Sequence, residues 1–132
     1  MSPQADLPRP TDAELEILSV LWRLGPSTVR EVHEVLSRER ATQYTTTLKM
    51  MQIMAEKGLL ERDESSRSHV YSACQPRERT QSQLAGHLLE RAFGGSARSL
   101  LMGALSAKKA SREELAEMRT LLDEYEMGRK SS

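Results

Sequence analysis

The segment TQYTTTLKMMQIM, from Thr42 to Met54, places three consecutive threonines directly before a helical pattern of apolar residues. Threonine is β-branched and a poor helix former, so helix propensity does not explain the three threonines. Their hydroxyls can hydrogen-bond a phosphate or a base edge, and their methyls can contact the thymine methyl. Lys49 and Gln52 follow within two turns, and their side chains suit guanine or phosphate and adenine, respectively. The segment therefore fits contact with double-stranded DNA.

A plainer interpretation is that the threonines only begin a helix whose remaining polar face is solvated. The local charge favours the DNA interpretation, because no acidic residue occurs between Arg40 and Ala55. A helix is predicted from Tyr44 to Lys57, ended by Gly58. Its predicted inward stripe is Thr47, Met50, Met51 and Met54. The predicted outward face is Thr45, Thr46, Lys49 and Gln52, with Leu48 as a further candidate.

The elements around this helix indicate how it is positioned. Two earlier helices each begin at a capping box, Thr11–Glu14 and Thr28–Glu31, and Gly25-Pro26 ends the first. After Gly58 the sequence LLERDESSRSHVYSA predicts a β-hairpin with a polar turn at Glu64–Arg67. Three helices followed by a hairpin form the winged helix-turn-helix arrangement. The predicted fold class is therefore mainly α with a small β-hairpin.

Pro76 marks a predicted boundary between residues 1–75, the DNA-binding domain, and residues 76–132, a three-helix module. Three short amphipathic helices rarely close a core alone, so their apolar faces are expected to pack against a second copy of the chain. The residues expected to contribute to dimerisation are Leu88, Phe93, Leu100, Leu101, Leu105, Met118, Leu121, Leu122 and Tyr125. The two leucine pairs fit an intrachain core as well, and some of each use is expected.

Composition bounds the class of protein. The chain has 132 residues, 38% apolar and 29% charged, with a net charge of zero and one cysteine. No apolar run approaches the ~20 residues that span a bilayer, so no membrane partner is expected. The first residues show no basic segment followed by an apolar one, so no signal peptide is expected. These features favour the cytoplasm.

Catalytic and metal-binding motifs are not apparent in the sequence. His33-Glu34 lacks the second histidine of a zinc-protease motif, and Cys74 has no second cysteine to share a metal. A redox or metal role for Cys74 is weighed against a small, partly buried side chain, and the latter is favoured. We therefore expect no enzyme activity, no metal and no cofactor.

Four segments resemble the penicillinase-repressor family in order and spacing: ELEILSVLWRLGPSTVREVHEVL, YTTTLKMMQIMAEKGLLER, SRSHVYSA and AFGGSARSLL. The resemblance covers about residues 10–125. It implies a homodimeric winged-helix repressor that binds a palindromic operator and controls resistance or stress-response genes. In this resemblance the recognition helix is about 44–57 and the wing about 60–73. The expected DNA-binding residues are Arg30, Tyr44, Thr45, Thr46, Lys49, Gln52, Arg67 and His69. Without the resemblance, Arg67 also fits an ordinary solvated turn.

The sequence departs from the family in two places. Antibiotic-responsive members are inactivated by a sensor protease, which the resemblance implies as a further partner. That protease cuts an Asn-Phe bond just after the Gly-Gly pair, whereas the residues after Gly94-Gly95 are Ser96-Ala97-Arg98-Ser99. Copper-responsive members carry paired C-x-C motifs in the tail, and this tail has no cysteine.

A second hypothesis comes from a different class of function. A winged helix can serve as a protein-interaction module, in which the same outward face of the third helix meets an acidic protein partner. Loss of duplex binding after substitution of Thr46 or Lys49 would distinguish the repressor from this module.

Overall fold

The computed structural model describes residues 8–131, and the side chains of residues 8–129. Residues 1–7, where no signal peptide is expected, lie outside this range. The elements in chain order are α1 (Asp12–Leu24), β1 (Ser27–Thr28), α2 (Val29–Glu39), α3 (Tyr44–Lys57), β2 (Leu60–Asp63), β3 (Val70–Ala73), α4 (Arg77–Ala92), α5 (Ala97–Ala107) and α6 (Arg112–Ser131). The predicted fold class is confirmed. Among the described residues, none of the helices has the length and apolar character needed to cross a membrane.

Reciprocal capping boxes begin α1 and α2, as their sequences predict. The Thr11 hydroxyl accepts the N–H of Glu14 at 3.2 Å, and the Glu14 carboxylate accepts the N–H of Thr11 at 2.9 Å. Thr28 and Glu31 make the same pair of bonds at 3.2 and 2.9 Å. Each box satisfies backbone donors that the first helical turn leaves unpaired, so both helix starts are fixed locally.

The third helix has the predicted bounds, Tyr44 to Lys57, and the predicted stop. Gly58 ends it in the left-handed conformation, with φ at 87°, which residues bearing a Cβ rarely adopt. Thr47, Met51 and Met54 are buried, and Met50 is half-buried. The stripe predicted from the spacing is therefore the face that α3 turns towards the core.

The sheet has three antiparallel strands in the order β1-β3-β2, where the sequence predicts a two-stranded hairpin. β1 pairs Ser27 with Tyr71 and Thr28 with Val70. A strand of two residues is too short to show alternation. Thr28 also caps α2, so its sequence signal is that of a helix start. The extra strand attaches the wing to the beginning of α2.

One core joins the three helices to the sheet. Its buried apolar residues are Ile17, Leu18, Val20, Leu21, Val29, Val32, Leu36, Met51, Met54, Leu59, Leu60 and Tyr71. Beside this core, the Trp22 indole N–H donates to the carbonyl of Gln75 at 3.0 Å. This bond ties α1 to the segment that follows β3.

The chain divides after His87 into two compact units. The division falls within α4, which is continuous from Arg77 to Ala92, and Thr80 in its first half is buried. The domain boundary expected between residues 75 and 76 stays a prediction. In the second unit no described side chain from residue 88 to 129 is fully buried.

Candidate nucleic-acid interface

The start of α3 lies against α2 through contacts of Tyr44. The ring of His33 meets the Tyr44 ring edge-on, with centroids 5.7 Å apart and an interplanar angle of 86°. The guanidinium carbon of Arg30 lies 5.6 Å from the Tyr44 ring centroid, within cation–π range. The buried Thr47 hydroxyl lies 3.4 Å from His33 Nδ1. Arg30 and Tyr44, both predicted DNA-binding residues, are thus neighbours.

The outward face of α3 carries the polar residues expected there. Thr45, Thr46, Lys49 and Gln52 are all exposed on this face. Because helical residues three and four apart share a face, Lys49 lies near Thr45 and Thr46. A short, slim and uncharged first turn followed by a lysine can approach a groove of DNA without a steric or electrostatic barrier.

The N-terminus of α3 differs from those of the other capped helices. Thr11, Thr28 and Ser96 each cap a helix with a side-chain oxygen, whereas Gln43 at the N-cap of α3 makes no side-chain cap hydrogen bond. The Gln43 carbonyl accepts from the N–H groups of Thr46 and Thr47, at 3.1 and 3.2 Å. The N–H groups of Tyr44 and Thr45, which precede them, lie at the positive end of the helix dipole. Such an end favours a phosphate group.

Local hydrogen bonds shape the loop of the wing, which connects β2 to β3. Asp63 Oδ1 accepts the N–H of Ser65 at 2.9 Å, and this bond lowers the pKa of Asp63. The Ser66 hydroxyl donates to the carbonyl of Ser68 at 2.8 Å. Between these turns Arg67 is exposed, as is His69 at the end of the loop. The two predicted wing residues therefore extend from a loop with defined turns.

One groove of about 240 Å³ brings the wing and α3 together. Tyr44 and Gln52 line it from α3, and Arg67 and His69 line it from the wing. Four of the predicted DNA-binding residues, on segments separated by a strand and a loop, thus share one concave surface. The groove is also lined by Thr28, Val29, Leu48, Ser68 and Tyr71. Thr28 and Ser68 carry hydroxyls at this surface and were not predicted, because their sequence signals are those of a helix cap and a turn.

Acidic residues border the other end of α3. A hollow of about 330 Å³ is lined by Gln52, Glu56, Arg62, Glu64, Ala55 and Leu60. Arg62 and Glu64 form an ion pair of 2.9 Å. The charge along the outward face therefore changes from the acid-free first turns to the carboxylate of Glu56. A polyanion is favoured only at the N-terminal half of α3.

An ion pair fixes the C-terminal turn of α3. Lys57 Nζ lies 2.7 Å from Glu14 Oε2, and Glu14 is buried. Burial alone raises the pKa of Glu14. The hydrogen bonds from Lys57 and Thr11, with the charge of Lys57, outweigh burial and lower the pKa below its ordinary value. The capping box of α1 is thereby linked to the far end of α3.

The second unit exposes a large apolar surface. The predicted dimerisation residues that are exposed are Leu88, Leu101, Leu105, Leu121, Leu122 and Tyr125, while Phe93, Leu100 and Met118 are half-buried. The Phe93 ring packs against Gly103 inside the unit. A Cβ at residue 103 would lie only 3.2 Å from this ring. Met102 and Met127 are also exposed and were not predicted. Exposed apolar side chains that form one patch are typical of an interaction surface, and dimerisation through these residues stays a prediction.

The lone cysteine has the environment of a structural side chain. Cys74 is half-buried, and burial, followed by the charge of Glu61, raises the pKa of its thiol. A raised pKa keeps the thiol protonated and weakens it as a nucleophile or metal ligand. Among the residues that the structure describes, no group of three or more His, Cys, Asp or Glu side chains is placed to hold a metal ion.

One family of proteins and two of its named relatives match nearly the whole chain. The sequence model of the penicillinase repressor family matches residues 10–124. The chain is 31% identical over 125 residues to the transcriptional regulator BlaI of Mycobacterium tuberculosis (strain ATCC 25618 / H37Rv), covering 94% of this chain and 90% of that protein. It is 27% identical to the penicillinase repressor of Bacillus licheniformis, covering 94% and 97%. The solution structure of apo-NmtR aligns with a TM-score of 0.40 and 24% identity, over 64% of this chain and 62% of that one.

Proposed function

The chain belongs to the penicillinase-repressor family, and from this premise we propose that it is a homodimeric transcriptional repressor bound to a palindromic operator. Its relatives BlaI and penicillinase repressor are named as regulators rather than as enzymes. We propose that the regulated genes are resistance or stress-response genes, and that the protein acts in the cytoplasm. A sensor protease remains a proposed partner, with a cleavage bond other than the Asn-Phe bond after the Gly-Gly pair.

The observation that carries the proposal is the groove between α3 and the wing. Arg67 and His69 from one side and Tyr44 and Gln52 from the other line one concave surface. Arg30 lies beside Tyr44 and adds a permanent cation at its edge. Guanidinium, imidazole and hydroxyl groups are the donors that proteins use to hold phosphates.

Within this proposal the first turns of α3 read the major groove. The N–H groups at the uncapped start of α3 bind a phosphate and so fix the depth of the helix. Thr45 and Thr46 then face base edges, Lys49 takes guanine or phosphate, and Gln52 takes adenine. Glu56, which would repel the backbone, lies beyond the contacted part of the helix.

Dimerisation follows from the second unit. Leu121, Leu122 and Tyr125 on α6 are 64%, 58% and 69% exposed, so burying them releases a substantial hydrophobic free energy. A second copy supplies a matching face, and two-fold symmetry then requires a palindromic operator. The half-sites are expected about one helical turn, ~10 bp, or a small multiple apart.

The test is a gel shift of the purified protein on its own upstream DNA across a salt series. A discrete complex is expected, with an affinity that falls steeply as salt rises. Lys49→Ala is expected to weaken it and to reduce the slope of log affinity against log salt by about 1. Lys109→Ala is the matched control, because Lys109 is an exposed lysine outside the interface.

Two outcomes would contradict the proposal. If the folded protein binds neither its upstream DNA nor random duplexes at low salt, it is not a DNA-binding repressor, and the protein-interaction module replaces it. If Lys49→Ala and Lys109→Ala weaken binding equally, the interface is not on α3.

A further inference from the structure

His33 is the residue best placed to control the interface without reaching it. It lies in the fifth position of α2, is half-buried, and belongs to no metal-binding motif. Its ring contacts Tyr44 edge-on at 5.7 Å, and its Nδ1 lies 3.4 Å from the Thr47 hydroxyl. Both partners are in the first turn of α3. From these contacts we infer that His33 is a positioning residue for DNA binding, which holds the Tyr44 ring in the orientation that the interface needs.

Two residues of α2, Arg30 and His33, lie close to the Tyr44 ring. Arg30 is exposed, and its guanidinium carbon lies 5.6 Å from the ring centroid. His33 is half-buried, and its edge-on contact at an interplanar angle of 86° depends on the orientation of the Tyr44 ring. His33 therefore restrains the ring plane of Tyr44, which lines the groove between α3 and the wing.

The second contact of His33 serves a different purpose. The Thr47 side chain is buried, with only 2% of its surface exposed, and its hydroxyl therefore needs a hydrogen-bond partner. His33 Nδ1, 3.4 Å away, is that partner, as acceptor or donor according to the tautomer of the ring. The contact with Thr47 thus supports the packing of α3 on α2, while the contact with Tyr44 orients a side chain at the interface.

Two substitutions separate these roles. His33→Phe keeps an aromatic ring beside Tyr44 and removes the hydrogen-bond partner of Thr47. His33→Asn keeps a hydrogen-bonding group close to the place of Nδ1 and removes the ring. A purely structural role predicts that Asn preserves function, whereas a role in orienting Tyr44 predicts that Phe preserves it.

The inference rests on the proposed function, so the assay is chosen to fail separately from it. The probe is a fluorescein-labelled duplex of random sequence at low salt, because contacts to phosphates do not depend on the operator. Affinity is measured by fluorescence anisotropy for the full-length chain and its His33 variants. Circular dichroism and thermal melting establish that each variant is folded at the assay temperature.

The expected result is a loss of affinity for His33→Ala and His33→Asn of about fivefold, equivalent to one hydrogen bond, with His33→Phe close to the unsubstituted chain. Tyr44→Ala is expected to match His33→Ala, and the double variant to be no weaker than either single variant. His33→Ala combined with Lys49→Ala is expected to be additive. The His33/Lys49 double variant is the control for the His33/Tyr44 double variant. Neither double variant contains His33→Phe, so the comparison holds even if that variant does not fold.

Three results would overturn the inference. If the unsubstituted chain binds no duplex, the proposed function fails, and the role of His33 in DNA binding fails with it. If it binds and His33→Ala binds equally well, His33 does not position the interface. Additive losses for His33→Ala and Tyr44→Ala would likewise overturn the inference, because they would mean that His33 acts independently of Tyr44.

Discussion

The ammonium of Lys57 lies 2.7 Å from the carboxylate of Glu14, and this joins the last turn of α3 to the first turn of α1. The pair is unequal, since the Glu14 side chain is 6% exposed and the Lys57 side chain 40%. The carboxylate also accepts the N–H of Thr11, so one group closes a capping box and anchors a helix. The free energy of this arrangement depends on Glu14 being ionised.

The stability that Glu14 contributes is expected to depend on acid pH. A carboxyl whose pKa is lower in the folded chain stabilises the fold above its unfolded pKa and loses that contribution as the pH falls through the folded pKa. The ordinary pKa of a glutamate carboxyl is 4.5. The contribution of Glu14 is therefore present at pH 7 and is lost as the pH falls from 4.5 through the lower pKa of the folded chain. Glu14→Gln keeps the capping box and is expected to cost about 1–2 kcal/mol at neutral pH.

This prediction is checked by urea unfolding of Glu14→Gln and of the unsubstituted chain, at neutral pH and at about pH 3. The difference in unfolding free energy should shrink at the lower pH, and an equal difference at both would contradict it. The matched control is Glu16→Gln, which breaks an exposed 3.2 Å pair with Arg40. That change is expected to cost less than about 0.5 kcal/mol at either pH.

Thr46→Ala is expected to weaken duplex binding without destabilising the fold. Thr46 is exposed on the first turn of α3, so the substitution leaves the core unchanged. The loss should be about fivefold, as for one hydrogen bond, and Thr46→Ser should recover most of it if the hydroxyl is the contacting group. The same substitution at Thr120, exposed on α6, should leave affinity unchanged. Equal effects at the two positions in an anisotropy titration would count against a contact at Thr46.

Glu56→Gln is expected to raise the affinity for DNA. Glu56 lies beyond the first turns of α3 and next to the wing residue Glu64 in the same hollow, where its charge repels phosphates. Removing that charge should increase affinity by about two- to fivefold at low salt, and the gain should shrink as salt screens it. Glu113→Gln, on α6, is the control of equal charge. A decrease in affinity for Glu56→Gln would mean instead that Glu56 accepts a hydrogen bond from a base.

Leu122→Glu is expected to convert the proposed dimer into a monomer. The change places a charge on an apolar face that the second copy would bury, and an unpaired charge in an interface is costly. Sedimentation velocity should show the mass of one chain, while circular dichroism remains that of a folded helical protein. Leu24→Glu is the control, since Leu24 is a similarly exposed leucine on α1, with 49% exposure. A Leu122→Glu variant that still sediments as a dimer would exclude this residue from the contact.

Local sequence signals predict much of the fold because several elements are fixed locally. The capping boxes of α1 and α2 and the left-handed Gly58 each depend on residues within one turn, and all three agree with the sequence. β1 was missed because its pairing with β3 joins residues more than forty positions apart, as Ser27 and Tyr71 show. No local pattern encodes a contact of that kind.

The site was predictable residue by residue but not as a surface. Spacing places Thr45, Thr46 and Lys49 on the outward face of α3, where the structure has them. It gives no indication that the loop bearing Arg67 closes a groove with Tyr44. Nor does it associate His33 with Tyr44, because that contact depends on the crossing of α2 and α3.

The two-residue strand β1 has a mechanical consequence. Thr28 pairs with Val70 in the strand that returns from the wing, and the same residue caps α2. The base of the wing and the start of α2 are therefore joined directly through backbone pairing. In the proposed complex, a duplex that contacts both Arg30 on α2 and the wing has to fit the spacing between them, so operators that bend at low energetic cost are expected to bind more tightly.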